Sequence, residues 1–212
     1  MGWVFATLEI VGTVAFAVSG AMVAIRKRTD IFGVLVLGVT TATGGGMLRD
    51  VLLGDLPPRV FRNQLYLLVA AAAAMALFLT ARVFQEKYIR RAALVDQINN
   101  LFDALGLGAF TVTGIQAGIA AGYGDNSFFL VFLGLLTGVG GGLIRDLMVT
   151  EIPFVLRKRV YALAAIAGGL VYVLASPHCR GRAVPATLTL AVVVGLRLLA
   201  TIFRWDLPKA IP

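Results

Sequence analysis

Gly44-Gly45-Gly46-Met47-Leu48-Arg49-Asp50 lies inside a long apolar run and returns 96 residues later as Gly140-Gly141-Gly142-Leu143-Ile144-Arg145-Asp146. Pro57 and Pro153 follow in the same register. A glycine costs an α-helix about 1 kcal/mol against alanine, so two matching triplets predict two helices broken at the same place in two related halves. The correspondence reaches further back. Glu9 pairs with Asp103, Gly12 with Gly106, Ala15 with Ala109, Phe16 with Phe110 and Gly20 with Gly114 at an offset of 94, which places a two-residue insertion in loop 122–126.

With 59% hydrophobic and 14% charged residues and a mean hydropathy of +0.89, an ordinary soluble domain is excluded. Long apolar runs, rather than short alternating ones, predict a helical bundle and not a barrel. The spans read as Trp3–Ile25, Ile31–Leu53, Gln64–Phe84, Leu94–Ala120, Ser127–Val149, Val160–Ala175 and Val184–Phe203. The first has no basic n-region and Arg26-Lys27-Arg28 follows it, so it reads as a retained helix and not a cleaved signal. The single cysteine, Cys179, rules out an intramolecular disulfide.

Three spans per repeat is an odd number, so the halves lie in opposite orientations, the arrangement that sets a substrate or ion path at the repeat interface. The expected fold is therefore an all-α integral membrane bundle of seven transmembrane helices in one domain, 1–212. It divides into inverted three-helix repeats over about 1–92 and 93–180 and an unpaired seventh helix over about 184–203, with helices 2 and 5 kinked at their glycine triplets. Arg26, Lys27, Arg28, Arg82, Lys87, Arg90, Arg91, Arg157, Lys158, Arg159, Arg204 and Lys209 fall on one side of the membrane. Only Arg59, Arg62, Arg180 and Arg182 fall on the other, so the positive-inside rule predicts an external N-terminus and a cytoplasmic C-terminus. The net charge of +8 reads as cytoplasmic loops and not as a nucleic-acid surface.

Ionisable groups at membrane depth face a cavity or a partner, because insertion of each costs on the order of 3 kcal/mol. Glu9, Arg49, Asp50, Asp96, Asp103, Arg145 and Asp146 are such groups. Asp96, Asn99 and Asp103 share one face of the fourth helix, continued by Gly106, Phe110 and Thr113. Glu9, Phe16 and Ser19 form the equivalent stripe on the first helix, so the two acids fall symmetrically about the midplane. Carbonyls freed at Gly44–Gly46 and Gly140–Gly142 would line a path and hold a cation; the alternative is that small residues let helices approach closely. Arg49-Asp50 and Arg145-Asp146 read either as ion pairs closing helix ends or as groups that gate the path. Arg197 reads as a snorkelling or packing residue. His178-Cys179 is far short of a metal constellation, and no catalytic triad or paired-carboxylate site is apparent; no enzyme is expected.

The three-plus-three-plus-one pattern, the GGGMLRD and GGGLIRD forms, and the turns Asp55-Leu56-Pro57 and Glu151-Ile152-Pro153 resemble the prokaryotic branch of the trimeric intracellular cation (TRIC) channels. That branch is also catalogued under a glycine-transporter domain name. The resemblance covers essentially the whole chain. It implies a homotrimer in the inner membrane of a prokaryote, with one pore per protomer lined by the first six helices. Potassium or sodium is then the permeant ion, no cofactor or metal is needed, and membrane lipid is the remaining partner. By position, Gly44–Gly46 and Gly140–Gly142 would be the kinks, with Arg49, Asp50, Arg145 and Asp146 beside them in the pore. The lysine-glutamate motif of the lipid-regulated animal members is not found here. The alternative function is secondary transport of a small zwitterion such as glycine.

Overall fold

The computed structural model describes residues 3–157, 160–179, 181–203 and 205. Lys158, Arg159, Arg180, Arg204 and Lys209 of the charge count lie outside the described residues. Seven long helices form where the apolar runs predicted them: α1 (Trp3–Arg26), α2 (Ile31–Leu52), α3 (Leu65–Val83), α4 (Ala92–Ala120), α5 (Ser127–Met148), α6 (Val160–Ala175) and α7 (Ala183–Ile202). Each is long and apolar enough to span a bilayer, the sixth together with the Ser176–His178 turn that extends it. Short helices at Arg59–Arg62, Gln85–Arg90, Phe154–Arg157 and Ser176–His178 join them, and no strand occurs among the described residues.

The most buried helices are α1 and α4: 67% and 78% of their apolar windows are inside the protein, against 17% for α3. The two lie against each other, with α2 packed on α1, α5 on α4, and α2 on α5. α3 covers α1 and α2, while α6 and α7 cover α4 and α5. The inner positions are small. Gly20 meets Thr41, Gly114 meets Thr137, and Gly38 meets Ala74, each closely enough that an added methyl would clash. In lipid, where apolar side chains gain little by leaving the solvent, such close approach is what holds helices together.

Local signals repeat between the halves. Asp30 caps α2 by accepting from Gly33 N at 2.8 Å, and Asn126 caps α5 by accepting from Phe129 N at 3.0 Å. Both helices end in the same Schellman turn: Asp55 N donates to Asp50 O and Glu151 N to Asp146 O, each at 2.9 Å. The left-handed residue of that turn is Gly54 (φ +70°) in one half and Thr150 (φ +55°) in the other.

α2 and α5 stay helical through both glycine triplets, so no unwound segment frees carbonyls there. The central glycine of each triplet is instead where α2 and α5 cross. A Cβ on Gly45 would lie 2.1 Å from the Thr137 carbonyl oxygen, and one on Gly141 would lie 2.0 Å from that of Thr41. Neither position has room for a side chain.

Candidate functional site: two charged cavities on either side of a glycine crossing

A cavity of about 360 Å³ opens on one side of the crossing, lined by Glu9, Thr43, Gly46, Arg49, Asp50, Arg59, Arg62, Tyr66, Phe110 and Thr113. A second, of about 350 Å³, is lined by Arg26, Asp96, Asn99, Asn100, Asp103, Arg145, Asp146 and Glu151. The structure thus gathers most of the predicted site residues around two spaces, one with the acid of α1 and one with the acid of α4.

Two phenylalanines stand between the cavities. Phe16 is fully buried and meets Phe110 edge-on, with ring centroids 5.2 Å apart. Each ring seats on a glycine of the opposite half. A Cβ at Gly106 would fall 2.0 Å from the Phe16 ring, and one at Gly12 would fall 3.1 Å from the Phe110 ring. Phe110 borders the first cavity, and Ser19, one turn beyond Phe16, contacts Arg145 of the second. The aromatic pair and the Gly45–Gly141 crossing therefore form the neck between two polar spaces.

The aspartate of each Arg-Asp pair does two jobs. Asp50 accepts from Arg49 Nε at 2.9 Å and Nη2 at 2.7 Å on one oxygen, and from the Arg59 backbone amide at 2.9 Å on the other. Asp146 accepts from Arg145 Nε at 2.8 Å and, on its second oxygen, from the Phe154 amide at 2.6 Å. Both carboxylates thus hold their arginine and cap the short helix that follows, an anion at a helix N-terminus. The two readings of these pairs are compatible: the ion pairs close helix ends and also border the cavities.

Beyond that pair the halves differ. Arg145 also donates to Ser19 Oγ at 2.8 Å and Asp103 Oδ1 at 3.0 Å. Glu9, the counterpart of Asp103, accepts instead from the Tyr66 hydroxyl at 2.6 Å. Tyr161 holds the place of Tyr66 in the second half, at an offset of 95, but its buried hydroxyl has no hydrogen-bond partner among the described residues. Asp103 is met from the other side by Arg197 of α7. The Arg197 Nη2 lies 2.7 Å from Asn100 Oδ1 and 3.5 Å from Asp103 Oδ2. Its guanidinium sits over the rings of Tyr161 (4.6 Å) and Phe154 (5.2 Å).

Arg197 is thus not a snorkelling residue: it is 2% exposed and belongs to the charge cluster. An arginine alone in an apolar span signals a buried acid to meet it, which is the clue the sequence holds. Tyr66, Arg59 and Asn100 join the site without a motif of their own, and the recurrence of tyrosine at 66 and 161 is the one sequence signal that points to any of them. Asp96 lies at the mouth of the second cavity, more than half exposed and 2.9 Å from Arg26, rather than at depth. Asn99 has a buried Oδ1 without a partner among the described residues, and Thr113 Oγ1 turns back to the Phe110 carbonyl at 3.3 Å. Outside the spans, Asp55 binds Arg59 and Arg62, whose hydrogen bonds hold its carboxyl below its ordinary value of 3.8.

A seven-helix membrane protein with charged cavities on either side of a buried aromatic pair and a helix crossing is a transport protein in build. The comparisons with known proteins agree with that class. A family model described as glycine transporter matches residues 6–82 and again 100–177. The inner membrane protein YadS of Escherichia coli is 37% identical over 200 residues, covering 94% of this chain and 92% of its own. A structure solved to explain conductance through TRIC cation channels is 35% identical, with a TM-score of 0.82 and 98% of each chain covered. The TRIC orthologue from Rhodobacter sphaeroides is 29% identical, with a TM-score of 0.85, covering 96% of this chain and all of that one. The chain belongs to the prokaryotic branch of the TRIC channel family.

Proposed function

We propose that the protein is a potassium-permeable monovalent cation channel, a homotrimer with one path in each protomer. The observation that carries this is the second cavity, where four carboxylates (Asp96, Asp103, Asp146 and Glu151) line a polar space and pair with Arg26, Lys27, Arg145 and Arg197. Carboxylates that line a polar path favour cations over anions. The neck of Phe16, Phe110, Gly45 and Gly141 is the gate in this reading, and bending of α2 and α5 at Gly44–Gly46 and Gly140–Gly142 opens it. Arg49, Asp50, Arg145, Asp146, Glu9 and Asp103 set the field on either side, with Ser19, Asp96, Asn99 and Thr113 as polar lining. The two matched segments of the family model support a pair of inverted repeats with α7 outside them. The name of the Rhodobacter sphaeroides relative supports the trimer, and the positive-inside rule supports the external N-terminus.

One observation favours a carrier as the second reading. The first cavity sets Arg49, Arg59 and Arg62 against Glu9 and Asp50, donors and acceptors suited to both ends of a small zwitterion. Proteoliposomes separate the two. The channel predicts potassium flux that rises linearly with concentration and is indifferent to glycine; saturable glycine uptake without potassium flux would favour the carrier.

A further inference from the structure

Arg197 is the largest fully buried side chain among the described residues, and it comes from the helix outside the repeat. Burying a guanidinium is costly unless an acid and further hydrogen-bond partners receive it. Here Asp103 receives it at 3.5 Å and Asn100 at 2.7 Å, and two aromatic rings stack against it. Asp103 already has Arg145 at 3.0 Å, so one carboxylate of the second cavity is shared by two arginines. Among the described residues, Glu9 has no arginine within ion-pair distance, and the hydroxyl of Tyr66 satisfies it. The equivalent hydroxyl, Tyr161, is left without a hydrogen bond beneath Arg197. The extra charge is thus specific to one half, and no repeat of the sequence supplies it.

We propose that Arg197 is a specificity-determining residue of the ion path. It holds Asp103 neutralised in concert with Arg145, and so sets how strongly the second cavity concentrates cations. This rests on the channel reading above. Without Arg197, Asp103 keeps only Arg145, and the cavity becomes one charge more negative. Cation entry then strengthens most at low ionic strength, where the added charge is least screened.

The test is single-channel conductance of reconstituted wild type, Arg197→Met and Arg197→Lys as a function of potassium chloride concentration. In low salt the methionine variant should conduct about threefold or more above wild type, the difference vanishing near 1 M, where the Debye length is about 3 Å. The lysine variant should follow wild type. If Arg197→Met does not assemble, the same contrast is read between Asp103→Asn and Asp103→Asn/Arg197→Met, the double variant conducting more in low salt. A methionine variant, or a double variant in the second comparison, with an unchanged salt dependence would overturn the proposal and leave the channel standing. A wild-type protein that passes no potassium current would overturn the channel itself, and the role of Arg197 with it.

Discussion

Glu9 and Asp103 stand at matching positions of two related halves, yet one is held by a tyrosine and the other by two arginines. The backbone frames around them are alike. The same N-cap, the same Schellman turn, the same Arg-Asp pair and the same glycine crossing occur in each. What differs is what lies behind the acid. In the first half α3 brings Tyr66 to Glu9; in the second α7 lies against α4 and α6 and sends Arg197 in. A duplicated fold thus keeps its helix-to-helix geometry while an appended helix makes the two cavities electrostatically unlike.

The comparison is broken first where the halves are the same. Gly45→Ala and Gly141→Ala each drive a methyl into a backbone carbonyl, so each should cost more than about 3 kcal/mol and abolish assembly, read by size-exclusion in detergent. Gly142→Ala, whose nearest neighbour is the Tyr161 hydroxyl at 3.3 Å, should be tolerated, as should Gly46→Ala. Equal tolerance at Gly45 and Gly46 would remove the crossing from the account.

The next test lies where the halves differ. Asp103→Asn leaves two buried arginines short of a carboxylate and should cost about 3 kcal/mol in thermal or denaturant stability. Glu9→Gln keeps an acceptor for the Tyr66 hydroxyl and loses only the charge that strengthens that bond, so it should cost about 1 kcal/mol. Similar losses at both would make the halves electrostatically equal. Among the tyrosines, Tyr66→Phe should destabilise by about 1.5 kcal/mol, because its hydroxyl serves a carboxylate. Tyr161→Phe should be neutral or stabilising, since it removes an unpartnered buried hydroxyl.

Smaller effects sharpen the helix ends. Thr150 holds a left-handed backbone that its counterpart Gly54 adopts without strain, so Thr150→Gly should raise stability by about 1 kcal/mol. The smallest effect belongs to Asp55, at the surface turn after α2. Its folded carboxyl lies below 3.8, so its stabilisation is fully present above that pH and is lost as pH falls through the lower folded value. The melting-temperature gap between wild type and Asp55→Asn should therefore close between pH 5 and strongly acidic solution, and a constant gap would contradict the pairing with Arg59 and Arg62.

The seven spans were legible because membrane hydropathy is a one-dimensional property of the chain, and the paired acids because a repeat marks its own important positions. The meaning of the triplets was harder to read. A glycine that weakens a helix and a glycine that admits a neighbouring backbone are the same residue, and only Thr41 and Thr137 across the crossing distinguish them. Arg197 was visible as a charge in an apolar span, but α7 has no internal copy, so nothing in the chain pointed to Asp103 as its partner. The neck was half legible: Phe16 and Phe110 were paired by register, while the glycines they rest on, Gly106 and Gly12, were paired only with each other.

The most direct test of the central claim is a recording from purified protein in a planar bilayer under a potassium chloride gradient. A cation channel predicts discrete current steps that reverse near the potassium equilibrium potential and persist when glycine is added to one side. A bilayer that stays silent while the same preparation takes up glycine saturably into liposomes would contradict it.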